Sequence, residues 1–292
     1  MQTNGVKEDT KPSLLVVIVD ADEHSWRIRS EMCLQSQIVY DELVSSIVMF
    51  CNSYLLMNRN NRLAVLASHT GGCNQIYPRA GKDSFEPLPH TLPQILASGL
   101  LNPGLTSGMA NNGKSDDEYS KNRGGRALAL CLSKALCIIN RQIRSSTDLQ
   151  ARILVTKIAS DHTPSYNSVM NSIFSADKLD VPVDSVILSK SDSHFMQQAS
   201  FLTRGVYLNP SEQRDLLQLL MMYCLSSRET RMMGLQTPIQ AAVDFRASCF
   251  CHNKSVEFAY MCSVCLALTC APSDICATCS SPRASTLRQR QS

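Results

Sequence analysis

Short, continuously apolar blocks alternate with stretches of helical periodicity along the first 225 residues. Leu14-Leu-Val-Val-Ile-Val19 is rich in β-branched residues and has no polar position, as expected of a strand covered on both faces. Asp20 follows it directly, at the carboxyl end of that strand. From residue 26 to residue 56 the spacing turns helical. Val39, Leu43 and Ile47 recur every fourth position, and Val44 and Val48 flank them on the same side. Residues 62–68 (Arg-Leu-Ala-Val-Leu-Ala-Ser) predict a second strand. Leu128, Leu132, Ala135 and Ile139 mark a helix over 126–141, preceded by Gly124-Gly125. Residues 152–158 predict a strand that ends near Ser160-Asp161, and 166–176 a helix. A strand over 181–188, a short helix over 195–203 and a short strand over 205–208 follow. Asn209-Pro-Ser-Glu212 is a strong helix start, with Asn as cap, Pro at the first turn and Glu at the third position. The helix it opens runs to Leu225, is apolar almost all round and is expected to be well buried. Strands separated by helices imply an α/β fold: a doubly wound, mostly parallel sheet with helices on both faces.

One segment breaks the alternation. Residues 71–125 hold nine of the twelve glycines and five of the twelve prolines, with five basic residues against five acidic ones. So long a stretch is expected to be an irregular insertion, with a short helix near 92–101. The chain therefore divides into a polar tail (1–12), an α/β domain (13–226) interrupted by the 71–125 insertion, a linker (227–248), a Cys-rich module (249–280) and a basic tail (281–292).

Composition narrows the function classes. A hydrophobic fraction of 44% over 292 residues can fill a real core, which excludes a wholly disordered chain. No apolar run approaches the roughly 18 residues that cross a bilayer, and residues 1–12 lack the apolar stretch of a signal peptide. A net charge of +3 does not by itself call for nucleic acid. Cysteine is the informative residue. Six of the 13 lie in residues 1–248, and seven lie between Cys249 and Cys279. An odd total and a dense terminal cluster argue against a disulfide framework and for a metal site in a reducing compartment.

Within that cluster, Cys262-Ser-Val-Cys265 and Cys276-Ala-Thr-Cys279 are two CxxC knuckles ten residues apart. Each places two sulfurs on one tight turn, and four thiolates together suit tetrahedral Zn²⁺ with no open coordination position. The site is thus expected to be structural, and in so small a module the metal supplies much of the folding free energy. Disulfides or unrelated buried thiols are the alternative. Cys249, Cys251, His252 and Cys270 remain; they suggest a second, interleaved site, with Cys251 or Asp274 completing it, or simply small thiols packing the module.

Other motifs carry less. Gly108-Met-Ala-Asn-Asn-Gly-Lys-Ser115 matches the phosphate-loop pattern, but no strand precedes it and Asp116-Asp-Glu118 follows, so a flexible loop is the expected state. Asp20, Asp22, His24 and Asp161 could meet at the carboxyl edge of the sheet and hold Mg²⁺; helix capping by Asp22 and loop hydrogen bonding by Asp161 compete with that reading. Trp26 and Met32 read as core. No Ser/His/Asp or Cys/His nucleophile set stands out, and His69, His90, His162 and His194 are scattered, so no catalytic residues are assigned. Arg283, Arg288 and Arg290 follow the module with no acidic residue after Asp274, which leaves a zinc-finger nucleic-acid-binding protein as the alternative function.

Several segments together resemble a known family. They are the 14–20 strand, Leu55-Leu-Met-Asn-Arg-Asn-Asn-Arg-Leu-Ala-Val-Leu-Ala-Ser-His69, Ser133-Lys-Ala-Leu-Cys137, Phe245-Arg-Ala-Ser-Cys-Phe-Cys-His252, Tyr260-Met-Cys-Ser-Val-Cys265 and Ile275-Cys-Ala-Thr-Cys279. They are similar to the small-subunit family of the core of general transcription and DNA-repair factor IIH (TFIIH). The resemblance implies a von Willebrand A-like domain followed by a zinc module, in a nuclear, non-catalytic scaffold subunit. It also implies docking on a larger sister subunit that itself combines an A-type domain with a RING-like module. The helicase subunits of that complex open DNA at promoters and during nucleotide excision repair, so DNA is contacted at most indirectly and no membrane is involved. A metal-binding A domain would read Asp-x-Ser-x-Ser after its first strand. Here Asp20-Ala-Asp-Glu-His24 lacks both serines, and Gly124-Gly125 stand where a threonine before the central helix is expected.

Overall fold

The computed structural model describes residues 11–31, 39–69, 72–78, 92–101, 117–146, 148–161, 165–189, 191–210, 216–227, 230–231, 233–234, 243, 245–252 and 255–282. The polar amino-terminal tail up to residue 10, the Gly108–Ser115 phosphate-loop pattern and Arg283, Arg288 and Arg290 lie outside the described residues.

Six strands form one sheet in the order β3-β2-β1-β4-β5-β6. β1 (Ser13–Asp20) lies at its centre between β2 (Arg62–His69) and β4 (Gln150–Lys157), parallel to both. β5 (Val183–Ile187) and the two-residue β6 (Tyr207–Leu208) extend the parallel order on one side. On the other edge, β3 (Gly72–Tyr77) is antiparallel to β2.

The continuous apolar run of β1 has a direct consequence. Its side chains point alternately to opposite faces, so both faces are apolar and both are covered. Leu15, Val17 and Val19 join a core with Leu63, Val65 and Ala67 of β2 and with residues of α2 (Tyr40–Met57), α3 (Leu92–Leu101) and the 216–224 helical segment. Leu14, Val16 and Ile18 join the opposite core with α4 (Asp117–Ser145), α5 (Tyr166–Lys178) and α6 (His194–Leu202). The doubly wound, von Willebrand A-like α/β architecture is therefore present. The sheet closes tightly at one point: a Cβ built on Gly205 would lie 2.0 Å from the Val183 carbonyl oxygen, so the approach to β6 admits only glycine.

Several expectations need correction. The helical stretch expected over 26–56 is two helices, α1 (Glu23–Glu31) and α2. Val39 is not part of the buried stripe. It precedes α2 and is 56% exposed, whereas Leu43, Val44 and Ile47 are buried. The insertion is not wholly irregular, because β3 falls within it and α4 begins at Asp117 rather than at 126. Gly124 and Gly125 accordingly lie inside α4 and not before it. The short helix near 92–101 is α3, whose Gly99 sits against Ile76 of β3. After residues 211–215, which lie outside the described residues, α7 (Leu216–Leu219) passes into a π-helical turn over Leu220–Cys224. Only one face of this segment is buried, through Leu216, Leu220 and Cys224, while Met222 is 51% exposed. No helix among the described residues is long and apolar enough to cross a membrane.

Candidate metal centre

At the carboxyl edge of the sheet the acidic residues serve the fold. Asp20 Oδ2 accepts the backbone N–H groups of Ile158 (3.2 Å) and Ala159 (3.0 Å). Burial nevertheless pushes the Asp20 carboxyl above the usual carboxylate range; those two N–H bonds oppose the shift and the nearby Asp22 charge adds to it. Asp22 Oδ2 accepts from Ser25 N (3.1 Å) and Ser25 Oγ (2.6 Å), capping the start of α1. Asp161 takes the Lys157 ammonium, the Ser193 hydroxyl (2.6 Å) and the Phe195 N–H (3.2 Å), tying the loop after β4 to the start of α6. Asp20, Asp22, His24 and Asp161 do not converge as a metal-donor group, so the Mg²⁺ reading is not supported. Among the described residues, groups of three or more possible metal donors occur only in the Cys-rich module.

That module is built from two small hairpins and two knuckles. β7 (Ala247–Ser248) pairs with β8 (Ser255–Val256), and β9 (Tyr260–Met261) with β10 (Leu268–Thr269), all antiparallel. The knuckles share one design. In the first, Leu266 N–H donates to Cys262 O (3.0 Å) and Cys262 N–H to Ala267 O (2.9 Å). In the second, Ser280 N–H donates to Cys276 O (2.8 Å) and Cys276 N–H to Ser281 O (2.9 Å). The residue four beyond the leading cysteine is left-handed in both, Leu266 at φ 59° and Ser280 at φ 56°. The turn that carries Cys249 and Cys251 is held to β10 by Phe250 N–H donating to Leu268 O (2.8 Å), which brings it beside Cys270.

Two donor groups result, and within each group the ligand atoms all lie within 4.8 Å of one another. The first is Cys262, Cys265, Cys276 and Cys279, the four thiols of the paired knuckles. Cys262 Sγ and Cys279 Sγ are 3.7 Å apart, and Cys265 Sγ and Cys276 Sγ are 3.6 Å apart. Four sulfurs at about 2.3 Å from a tetrahedral zinc would be about 3.8 Å apart, so these edges fit such an ion. The second group is Cys249, Cys251, His252 and Cys270; Asp274 is not a member. The groups interleave along the chain, since the first takes the second and fourth sets of ligands and the second takes the first and third.

The electrostatics of both groups is compatible with a cation. The backbone N–H of Cys265, the Ser281 hydroxyl and the Val264 N–H pull the Cys262 thiol down to about 5. Cys276 is lowered too, by the N–H groups of Cys279 and Thr278. Cys265 goes the other way: the Ala267 N–H favours its thiolate, but desolvation and the thiols of Cys279, Cys276 and Cys262 push it up to about 12. In the second group burial opposes ionisation of Cys249, yet Cys251 and His252 bring it down to about 6. Cys270 is pushed up to about 11, chiefly by Cys251 and Cys249. Each group thus contains thiols inclined to ionise beside thiols kept protonated by hydrogen bonding to those neighbours. A divalent cation bound there would stabilise all the thiolates together. Ser281 extends the first group, lying 2.9 Å from Cys279 Sγ and 3.5 Å from Cys262 Sγ. Sequence reasoning placed Ser281 in the tail, and nothing in the motif pattern marks it.

The module's own core is small: Cys262, Ala267 and Cys276, with Phe250 and Cys265 packed against them. Its surface is apolar, with Phe258 85%, Val264 67%, Ile275 63% and Met261 61% exposed. Residues 255–282 contain Glu257 and Asp274 and no lysine or arginine.

The chain is similar to known proteins over most of its length. It is 38% identical over 252 residues to general transcription factor IIH subunit 3 of Dictyostelium discoideum, covering 83% of this chain and 68% of that protein. It is 34% identical over 281 residues to the general transcription and DNA repair factor IIH subunit tfb4 of Schizosaccharomyces pombe, covering 94% and 90%. The crystal structure of the TFIIH p34 N-terminal domain superposes with a TM-score of 0.59 at 26% identity, over 72% of this chain and 97% of that one. Residues 12–280 match the family described as transcription factor Tfb4, and with that span and these relatives the chain belongs to the Tfb4 family.

Proposed function

We propose that this chain is a non-catalytic scaffold subunit of the nuclear TFIIH core, acting in promoter opening and nucleotide excision repair. Family membership over residues 12–280 carries the reading. In this reading the A-type domain docks on the sister A-type/RING-like subunit, and the helicase subunits of the complex do the work on DNA. The Cys262, Cys265, Cys276 and Cys279 group holds one structural Zn²⁺, whose closed coordination leaves no position for a substrate.

Two observations support a scaffold over an enzyme or a nucleic-acid binder. Asp20, Asp22 and Asp161, the acidic groups at the usual ligand edge of such a sheet, are engaged in hydrogen bonds that hold the fold. The surface over 255–282 exposes Phe258, Val264, Ile275 and Met261 and carries no lysine or arginine, a character that suits a protein partner better than phosphate. Affinity purification of the tagged chain from nuclear extract tests the reading. Stoichiometric recovery of the sister and helicase subunits is expected; recovery of a lone monomer would overturn it.

A further inference from the structure

The second donor group invites a stronger statement than its sequence pattern allows. Its ligands do not form paired CxxC knuckles; Cys251 and His252 are neighbours in sequence, and Cys270 comes 18 residues after His252. The fold nevertheless brings them together. Cys251 Sγ and Cys270 Sγ are 3.6 Å apart, and His252 Nδ1 lies 3.2 Å from Cys251 Sγ, 3.3 Å from Cys270 Sγ and 3.9 Å from Cys249 Sγ. A tetrahedral zinc bound by sulfur at about 2.3 Å and imidazole nitrogen at about 2.0–2.1 Å has edges of about 3.6 to 3.8 Å, and these separations bracket that range. Cys249 Sγ and Cys251 Sγ are closer, at 2.6 Å. That is longer than a disulfide of about 2.05 Å, and an ion seated among the four donors would spread this edge by about 1 Å.

We propose that Cys249, Cys251, His252 through Nδ1, and Cys270 form a second structural Zn²⁺ site, cross-braced with the Cys262–Cys279 site. This goes beyond the scaffold reading and does not depend on it. The cross-brace follows from one hairpin. β9 and β10 join through only two residue pairs, Leu268 with Met261 and Thr269 with Tyr260. The loop between these strands carries Cys262 and Cys265, ligands of one group, and Cys270 directly after β10 belongs to the other. Two such pairs cannot hold a hairpin in water unaided, so an ion at each end fixes it. The two sites differ in exposure. Cys262 and Cys276 are each 1% exposed in the first and only Cys279 is exposed, whereas in the second Cys249 alone is buried and Cys251, His252 and Cys270 are exposed. The second ion therefore leaves first when a chelator is added.

Zinc per chain, measured by elemental mass spectrometry on the purified full chain, tests this directly. Wild type is expected to hold two ions. His252→Cys keeps two, because a fourth thiolate can replace the imidazole. Cys270→Ser holds at most one, and Asp274→Asn keeps two. After exchange with ¹¹³Cd²⁺, the NMR spectrum should show two resonances, one typical of four sulfurs and one of three sulfurs and a nitrogen. A single zinc in wild type, wild-type zinc content in Cys270→Ser, or a Cys249–Cys251 disulfide in the alkylated, digested chain would overturn the proposal. None of these outcomes bears on membership of the complex, so the two readings fail separately.

Discussion

Arg231 grips Asp184 with both arms of its guanidinium, Nη1 to Oδ1 and Nη2 to Oδ2, each at 2.7 Å. Asp184 is 1% exposed on β5, and its Oδ1 also accepts the Val206 N–H at 2.8 Å. Arg152 works alongside, donating to the carbonyls of Ser226 (2.6 Å) and Leu225 (2.9 Å). Two guanidiniums thus tie Leu225, Ser226 and Arg231 to the sheet, although Arg231 falls in the 227–248 stretch that reads in sequence as a linker. Removing one partner of such a pair leaves a buried charge uncompensated. Arg231→Met should therefore lower stability by about 3–5 kcal/mol in urea denaturation. Arg231→Lys should restore little, because a point charge cannot bridge both oxygens.

Glycine positions separate backbone constraint from side-chain crowding. A Cβ at residue 205 meets the Val183 carbonyl at 2.0 Å, and that carbonyl cannot move without breaking the sheet. Gly205→Ala should cost at least the roughly 1–3 kcal/mol of an overpacked core. At Gly99 the nearest atom is Ile76 Cγ2, 2.4 Å away, the end of a side chain that can turn. Gly99→Ala should lower the melting temperature less than Gly205→Ala, which differential scanning calorimetry will show.

Asp20 gives the fold a pH dependence of unusual sign. Burial raises its carboxyl in the folded state above the ordinary value near 3.9. The folded state then holds this proton more tightly than the unfolded state. Its contribution is fully present below the ordinary value and is lost as pH rises through the folded one. Asp20→Asn removes the charge while keeping an oxygen for the Ile158 and Ala159 N–H groups. The variant should gain stability relative to wild type as pH rises from about 4 towards neutrality. Denaturation curves of both proteins across that range will check the sign; a gain only at low pH would contradict it.

The Cys-rich module should fail independently of the A-type domain. With a core of three residues, it depends on its ligands. Cys262→Ser is expected to lose the first zinc and unfold 249–282, while the two cores flanking the sheet persist. Near-native far-ultraviolet circular dichroism with reduced zinc content is the expected signature.

Legibility followed burial. The central strands could be read because both faces are covered, leaving unbroken apolar runs such as 14–19. The edge strand β3 could not: Gly72-Cys-Asn-Gln-Ile-Tyr77 is antiparallel and half-buried, with polar residues at its centre. The first turns of α4 were hidden for a different reason. They are polar and include Gly124 and Gly125, which ordinarily weaken a helix by about 1 kcal/mol each. In the metal centre the paired CxxC spacing announced one group. The other was offered in sequence as Cys249, Cys251, His252 and Cys270, with its fourth ligand open between Cys251 and Asp274; the fold brings Cys251 into the group and leaves Asp274 out. Arg231 and Asp184, 47 positions apart, carried no signal at all.

The most direct test of the scaffold claim is reconstitution of the core complex from purified subunits, with and without this chain, followed by size-exclusion chromatography and quantitative mass spectrometry. The sister and helicase subunits are predicted to co-elute in fixed ratio only when the chain is present. Full assembly in its absence would contradict the claim.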